Sequence, residues 1–125
     1  MEQKYLIDTN SLIDAQSRKL PEKGLAFFAD AINDYFTVSF VTYIEFLGYK
    51  AVTQANKDFI ALATIIEIDK DIIDSCIELR KTSNIKLPDA IVAATALVNN
   101  LTIITNNEKD FENIQGLKFV NPYKV

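Results

Sequence analysis

Short apolar runs alternate along the chain with longer segments of helical period. Lys4-Tyr5-Leu6-Ile7 reads as a short buried strand ending at Asp8. Residues 36–40 read as a second strand, 64–69 as a third, 101–105 as a fourth and 117–120 as a weaker fifth. Runs this short fit a buried strand or a piece of helix. The intervening segments decide between the two: residues 10–16, 24–33, 42–63, 71–83 and 89–99 all carry helical patterns. Strands separated by helices mean βαβ units and a parallel sheet.

Local signals sharpen individual helices. Thr42-Tyr43-Ile44-Glu45 fits a capping box, with Thr42 as N-cap and Glu45 at the third helical position. Ile72, Ile73, Cys76 and Ile77 predict one apolar stripe, which places Cys76 in the core. Pro88 suits the first turn of the next helix. Ala90, Ala93, Ala94 and Ala96 make that helix slim enough to lie close to a sheet.

Composition narrows the setting. A chain of 125 residues suits one domain with one core, and 49% hydrophobic residues are enough to pack it. Three glycines and three prolines argue against disorder or long linkers. No apolar run approaches the roughly 18 residues that span a bilayer. The N-terminus lacks the basic stretch and long apolar core of a signal peptide, and the single cysteine excludes an internal disulfide. The expected location is the cytoplasm, without a membrane. The formal charge of −4 is not the footprint of a broad basic face for nucleic acid. If four of the acids sit in one metal site, however, the remainder is neutral. Histidine is absent, which excludes His-based acid–base catalysis, His–Cys zinc sites and Ser-His-Asp triads.

The acids fall at the edges of the elements. Asp8 ends the first strand, Glu45 lies early in the helix after the second, Asp89 opens the alanine-rich helix, and Asn107 and Asp110 follow the fourth strand. In a parallel α/β sheet the strand C-termini share one edge, where ligands bind. Asp8, Glu45 and the Asn107–Asp110 loop are expected to meet there. Asp89 precedes a strand, so sheet geometry alone does not bring it along. Two carboxylates about 5 Å apart repel by roughly 3 kcal/mol at an effective dielectric near 20. Several together need protons or a cation. Oxygen ligands without His or Cys select Mg²⁺ or Mn²⁺, which activate water and steady a phosphoryl oxyanion. Each acid also has a plain structural reading: Glu45 completes a capping box, Asp89 favours a helix N-terminus and Asp8 serves a turn. The residues alone leave both readings open. Asp69, Asp71 and Asp74 read as ordinary acids at a helix start.

Four segments resemble the motifs of PIN domains, in family order and across nearly the whole chain. Tyr5-Leu6-Ile7-Asp8-Thr9-Asn10-Ser11-Leu12-Ile13 resembles the opening motif, and Val41-Thr42-Tyr43-Ile44-Glu45-Phe46 the second. Leu87-Pro88-Asp89-Ala90-Ile91-Val92-Ala93-Ala94-Thr95-Ala96 resembles the third, and residues 101–111 the last. The short length is similar to VapC-type toxins of toxin–antitoxin pairs. The resemblance implies a single PIN domain over residues 1–125, three-layered, with a five-stranded parallel sheet flanked by helices. It implies a Mg²⁺- or Mn²⁺-dependent ribonuclease with an RNA substrate, a homodimer and an antitoxin partner. It makes Asp8 and Asp89 the principal metal ligands, with Glu45 completing the acidic pocket and Thr105, with Thr9 or Asn10, orienting carboxylates or water. Asn107 stands where many members have aspartate. It is expected in the fourth ligand slot, with Asp110 assisting as a catalytic acid from the next turn. The rival reading of Asp110 is a cap on the turn at Phe111.

Two other folds put an acid after the first strand. A haloacid-dehalogenase-type phosphatase needs Asp-x-Asp, and Asp8-Thr9-Asn10 leaves the second role empty. A response-regulator receiver has adjacent acids before its phosphoacceptor and a lysine after its fifth strand, both missing here. The stronger alternative is an inactive PIN-like domain that binds RNA or protein. Tyr43 and Tyr49 are candidates to stack a base, with core or dimer packing as the other explanation. The RNA that is cut is not legible in the sequence.

Overall fold

The computed structural model describes residues 3–125. Its strands are β1 (Tyr5–Ile7), β2 (Thr37–Ser39), β3 (Thr64–Ile66), β4 (Thr102–Ile104) and β5 (Lys118–Val120). Its helices are α1 (Thr9–Gln16), α2 (Glu22–Asp34), α3 (Phe40–Leu47), α4 (Gln54–Ile60), α5 (Lys70–Thr82), α6 (Leu87–Asn99) and α7 (Glu108–Phe111). All strand pairing is parallel. The strands form one three-stranded sheet, β1-β4-β5, and one two-stranded sheet, β2-β3, rather than the single five-stranded sheet expected. β2 does run beside β1. Its ladder, however, goes to β3, and after three residues Ser39 already turns the chain into α3.

Alternation along the strands builds a core on each face. Leu6 and Ile103 point into one cluster with Ile72, Cys76, Ala90, Ala93 and Phe111. Ile7 and Ile104, their chain neighbours, point into the other with Leu12, Phe28, Phe46 and Ile60. Successive side chains of a strand face opposite ways, so two-residue apolar runs suffice for a sheet covered on both sides. α5 and α6 cover the first face; α1 to α4 supply the second. The alanines of α6 are buried as expected.

Several local expectations change. The segment expected as one helix over 42–63 is two, α3 and α4, separated by a turn beginning at Gly48. α3 starts at Phe40, because the Ser39 side chain accepts from the Thr42 N–H. Thr42 is therefore inside the helix, and Glu45 lies in its second turn rather than completing a box. The capping box belongs to α4, formed by Thr53 and Asn56. In α5, Ile72 and Cys76 are buried, but Ile73 and Ile77 face outwards. A four-residue stripe is wider than the contact that α6 provides. Asp69 caps α5, Asp71 lies in its first turn and Asp74 pairs with Lys70, which are structural roles for the three acids read as ordinary ones at a helix start.

The C-terminal segment closes over α1 and α2. The Tyr123 hydroxyl donates to Asp14 at 2.7 Å, and Lys124 pairs with Glu108 at 2.8 Å. The Pro122 carbonyl lies against Gly24 of α2, where a Cβ has no room. Gly24→Ala is therefore expected to destabilise the protein by about 1–3 kcal/mol, as overpacking does. Denaturant melts check this; an unchanged midpoint would mean that the C-terminal segment lifts without cost.

Candidate active site

The register of β1 and β4 sets the first part of the site. Ile7 pairs with Ile104, so Asp8 and Thr105 leave the sheet side by side. The Asp8 N–H extends the pairing by donating to the Ile104 carbonyl at 3.0 Å. Asp8 is 5% exposed, and its carboxylate is held from three directions. The Thr9 N–H donates to Oδ1 at 3.0 Å, while the Thr105 hydroxyl and the Asn10 amide donate to Oδ2 at 2.8 and 3.1 Å. Asp8 also serves as the N-cap of α1, so its turn role and its place in the cluster coexist. Burial raises its pKa above the ordinary aspartate value, partly offset by the bonds from Thr105, Thr9 and Asn10, with the Glu45 charge adding to the rise.

Glu45 reaches the cluster from α3. The Thr9 hydroxyl donates to its Oε1 at 2.6 Å, tying the second acid to the residue after the first. Thr9, Asn10 and Thr105 thus all orient carboxylates. Asn10 is itself braced: its Oδ1 accepts from the Ser11 hydroxyl and from the Asn106 N–H, both at 3.1 Å.

Asp89 arrives at the same edge through helix direction. α6 has 13 residues and joins β4 through a tight turn at Asn100, which sits in the left-handed region at φ 53°. Asparagine tolerates that conformation better than most residues. The helix therefore runs antiparallel to β4 for about 20 Å and returns its N-terminus to the C-terminal edge of the sheet. Asp89 sits in its first turn, half-buried. Its pKa rises to about 7, first from burial, then from a hydrogen bond shared with Asp110, then from the charges of Asp8, Asp110 and Glu45. Asp110 is shifted the other way, below the ordinary aspartate value, first because the Asn107 amide donates to it at 2.8 Å, with the nearby Lys86 charge adding to the fall.

Asp110 lies within α7 and bonds across to Asp89, so the reading of it as a cap for Phe111 does not hold. Asn107 is the N-cap residue of α7, and its backbone N–H donates to the Thr105 hydroxyl at 3.0 Å. Sequence reasoning overlooked Ser11, Asn106 and Lys86. Lys86 had a readable position, three residues before Asp89. Asn106 and Ser11 act through Asn10, and no spacing signalled that. Among the described residues, no three acids converge into a ready-made cage for an ion.

The raised acids fix the direction of a pH effect. A carboxyl whose folded pKa exceeds its unfolded value binds more protons when folded, so stability falls as pH rises through that window. For Asp89 the window runs from 3.8 to about 7. In chelator, the melting temperature is expected to fall between about pH 4 and 7, and Asp89→Asn to flatten that slope and raise the melting temperature at pH 8. A variant less stable than the parent at pH 8 would contradict the electrostatic strain.

The PIN domain family model matches residues 5–117. No curated protein matches the chain. Among solved structures, a chain of a toxin–antitoxin complex from Klebsiella pneumoniae is 35% identical, with 98% of this chain and 100% of that chain covered and a TM-score of 0.73. A chain of VapBC-1 from nontypeable Haemophilus influenzae is 22% identical, with 98% and 100% covered and a TM-score of 0.79. A chain of FitAcB from Neisseria gonorrhoeae is 22% identical, with 97% and 99% covered and a TM-score of 0.74. The acids at the sheet edge lie within the matched span, and the chain belongs to the PIN domain family.

Proposed function

We propose that the chain is a Mg²⁺- or Mn²⁺-dependent ribonuclease that hydrolyses RNA phosphodiester bonds, and that it is the toxin of a toxin–antitoxin pair. The observation that supports this most is the gathering of Asp8, Glu45, Asp89 and Asp110 at one edge. Among the described residues none of the four is in a salt bridge. The donor set fits a hard divalent cation. It is all oxygen, and the charges of Asp8, Asp110 and Glu45 add to the rise in the Asp89 pKa, so positive charge is favoured there. Asp8 and Asp89 would hold the ion, with Glu45 and Asn107 completing its surroundings. An amide at Asn107 brings an oxygen without adding a fifth charge. When bound, the cation lowers the pKa of a water and stabilises charge on a phosphoryl oxygen.

The chain's own residues supply the rest. Thr105 and Asn10 fix the Asp8 carboxylate, and Thr9 fixes Glu45, so neither acid must be ordered at the moment of reaction. Asp110, steadied by Asn107, stands as the acceptor for the proton of the attacking water. Asp8→Asn is expected to abolish cleavage of RNA while leaving the fold intact, and excess EDTA to do the same to the wild type. Separately, Mn²⁺ at a hundred times its Kd should stabilise the wild type by about 2.7 kcal/mol. Full activity in EDTA or in Asp8→Asn would overturn the mechanism. Absent metal-linked stabilisation would favour a PIN domain that only binds.

The partner proposals draw on the Klebsiella pneumoniae relative, which was solved as a toxin–antitoxin complex. An antitoxin that presents a basic side chain to the acids would compete with the cation. The aromatic side chains of residues 35–36 and 43–49 give a homodimer little surface: Phe36 stacks on Phe59, Phe46 is buried, Tyr43 packs against the core and Tyr35 lies under Lys4, leaving Tyr49 exposed. The exposed Ile73 and Ile77, one helical turn apart on α5, are better material for an interface. The mass in solution at micromolar concentration is expected to be twice 14.1 kDa; a monomer would refute the dimer.

A further inference from the structure

A groove of about 180 Å³ opens beside the acid cluster, and no role described above uses it. One wall is the turn between α5 and α6, at Asn84 and Ile85; the other is α7 and the turn after it, at Lys109, Asp110, Asn113 and Ile114. Ile85 and Ile114 are buried, while Asn84, Asn113 and Lys109 are exposed. The groove therefore has an apolar floor, two amides and one ammonium on its walls, and an acid of the cluster at one end.

That combination matches a nucleobase better than an ion or a peptide side chain. A base has an apolar face and a hydrogen-bonding edge, and an asparagine amide presents a donor and an acceptor side by side to such an edge. The size agrees: a cavity of about 150 Å³ accepts a benzene ring. This groove has room for one ring rather than a stack. Lys109 also lines a shallow depression shared with Asn107 and Lys124, so one ammonium borders the path on both sides of α7.

We propose that this groove is a subsite for one unpaired base of the RNA, belonging to the nucleotide next to the scissile phosphate, seated on Ile85 and Ile114 and read by Asn84 and Asn113. The position follows from Asp110, which both lines the groove and bonds to Asp89. The proposal rests on the nuclease reading for the location of the scissile phosphate, but base recognition is measurable without cleavage.

The test uses single-stranded oligoribonucleotides that vary one position at a time, including an abasic one. Binding is followed by fluorescence anisotropy in wild type with excess EDTA, where no cleavage is expected, and cleavage in wild type with Mn²⁺. Base identity at one position should change binding by roughly tenfold, within the range of one paired amide contact. The double variant Asn84→Ala, Asn113→Ala should erase that dependence at that position alone, with Mn²⁺-linked stabilisation unchanged. The subsite is refuted if the dependence survives in the double variant, if all oligonucleotides weaken equally, if the abasic one binds as well as its parent, or if none binds. Base-dependent binding that the double variant abolishes, without cleavage by wild type, would keep the subsite and overturn the nuclease reading. Cleavage without dependence on any base would do the reverse.

Discussion

A carboxylate buried at the end of a strand is the constraint on which the rest depends. Asp8 cannot be left without partners, because an unpaired buried charge is far costlier than any turn preference it satisfies. Its partners come from two separate stretches: Thr9 and Asn10 from the start of α1, and Thr105 from the end of β4. Satisfying Asp8 therefore fixes where β4 ends relative to β1. Asn10 extends the same demand by bonding both the Thr105 hydroxyl and the Asn106 backbone. The loop that carries Asn107 and Asp110 starts from that anchor.

Helix direction then concentrates charge. α1, α3 and α6 all present their first turns to the edge where β1, β2 and β4 end, and each N-terminus carries a partial positive charge. Those partial charges favour the anionic form of nearby acids. They do not cancel the repulsion, because the charges of Asp8, Asp110 and Glu45 still add to the rise in the Asp89 pKa. The fold thus holds the acids near one another while leaving a deficit of positive charge.

Much of this was legible in the sequence, for identifiable reasons. The strand ends were readable because Asp8 and Thr105 interrupt apolar runs, and the edge location followed from parallel topology. Asp89 was harder. Strand logic leaves it unplaced because it precedes β4, and both α5 and α6 lie between β3 and β4; the tight turn at Asn100, which sends α6 antiparallel to β4, is what places it. The break after α3 was hidden because residues 49–56 are polar enough for a helix surface, and only Gly48 signals the turn. The Ser39 cap was missed because Thr42 and Glu45 imitate a capping box three residues later, where Ser39 already satisfies the Thr42 N–H. The split of the strands into two sheets depends on which neighbour takes a three-residue ladder, and no side-chain pattern encodes that choice.

If the chain cleaves RNA as proposed, its net charge of −4 restricts how it can hold a polyanion. Broad electrostatic attraction is not available to it, and affinity built on many phosphate contacts would need a basic face. The acids are instead gathered at one edge, and lysines stand close by: Lys86 before Asp89, Lys109 on α7, and Lys124 bound to Glu108. RNA recognition on such a surface would have to come from a few short-range contacts, and salt would weaken it less than it weakens a protein that tracks a long stretch of backbone. The proposed base subsite beside the cluster would suit a nuclease with little long-range attraction, because contact chemistry is the part of recognition its sequence leaves available.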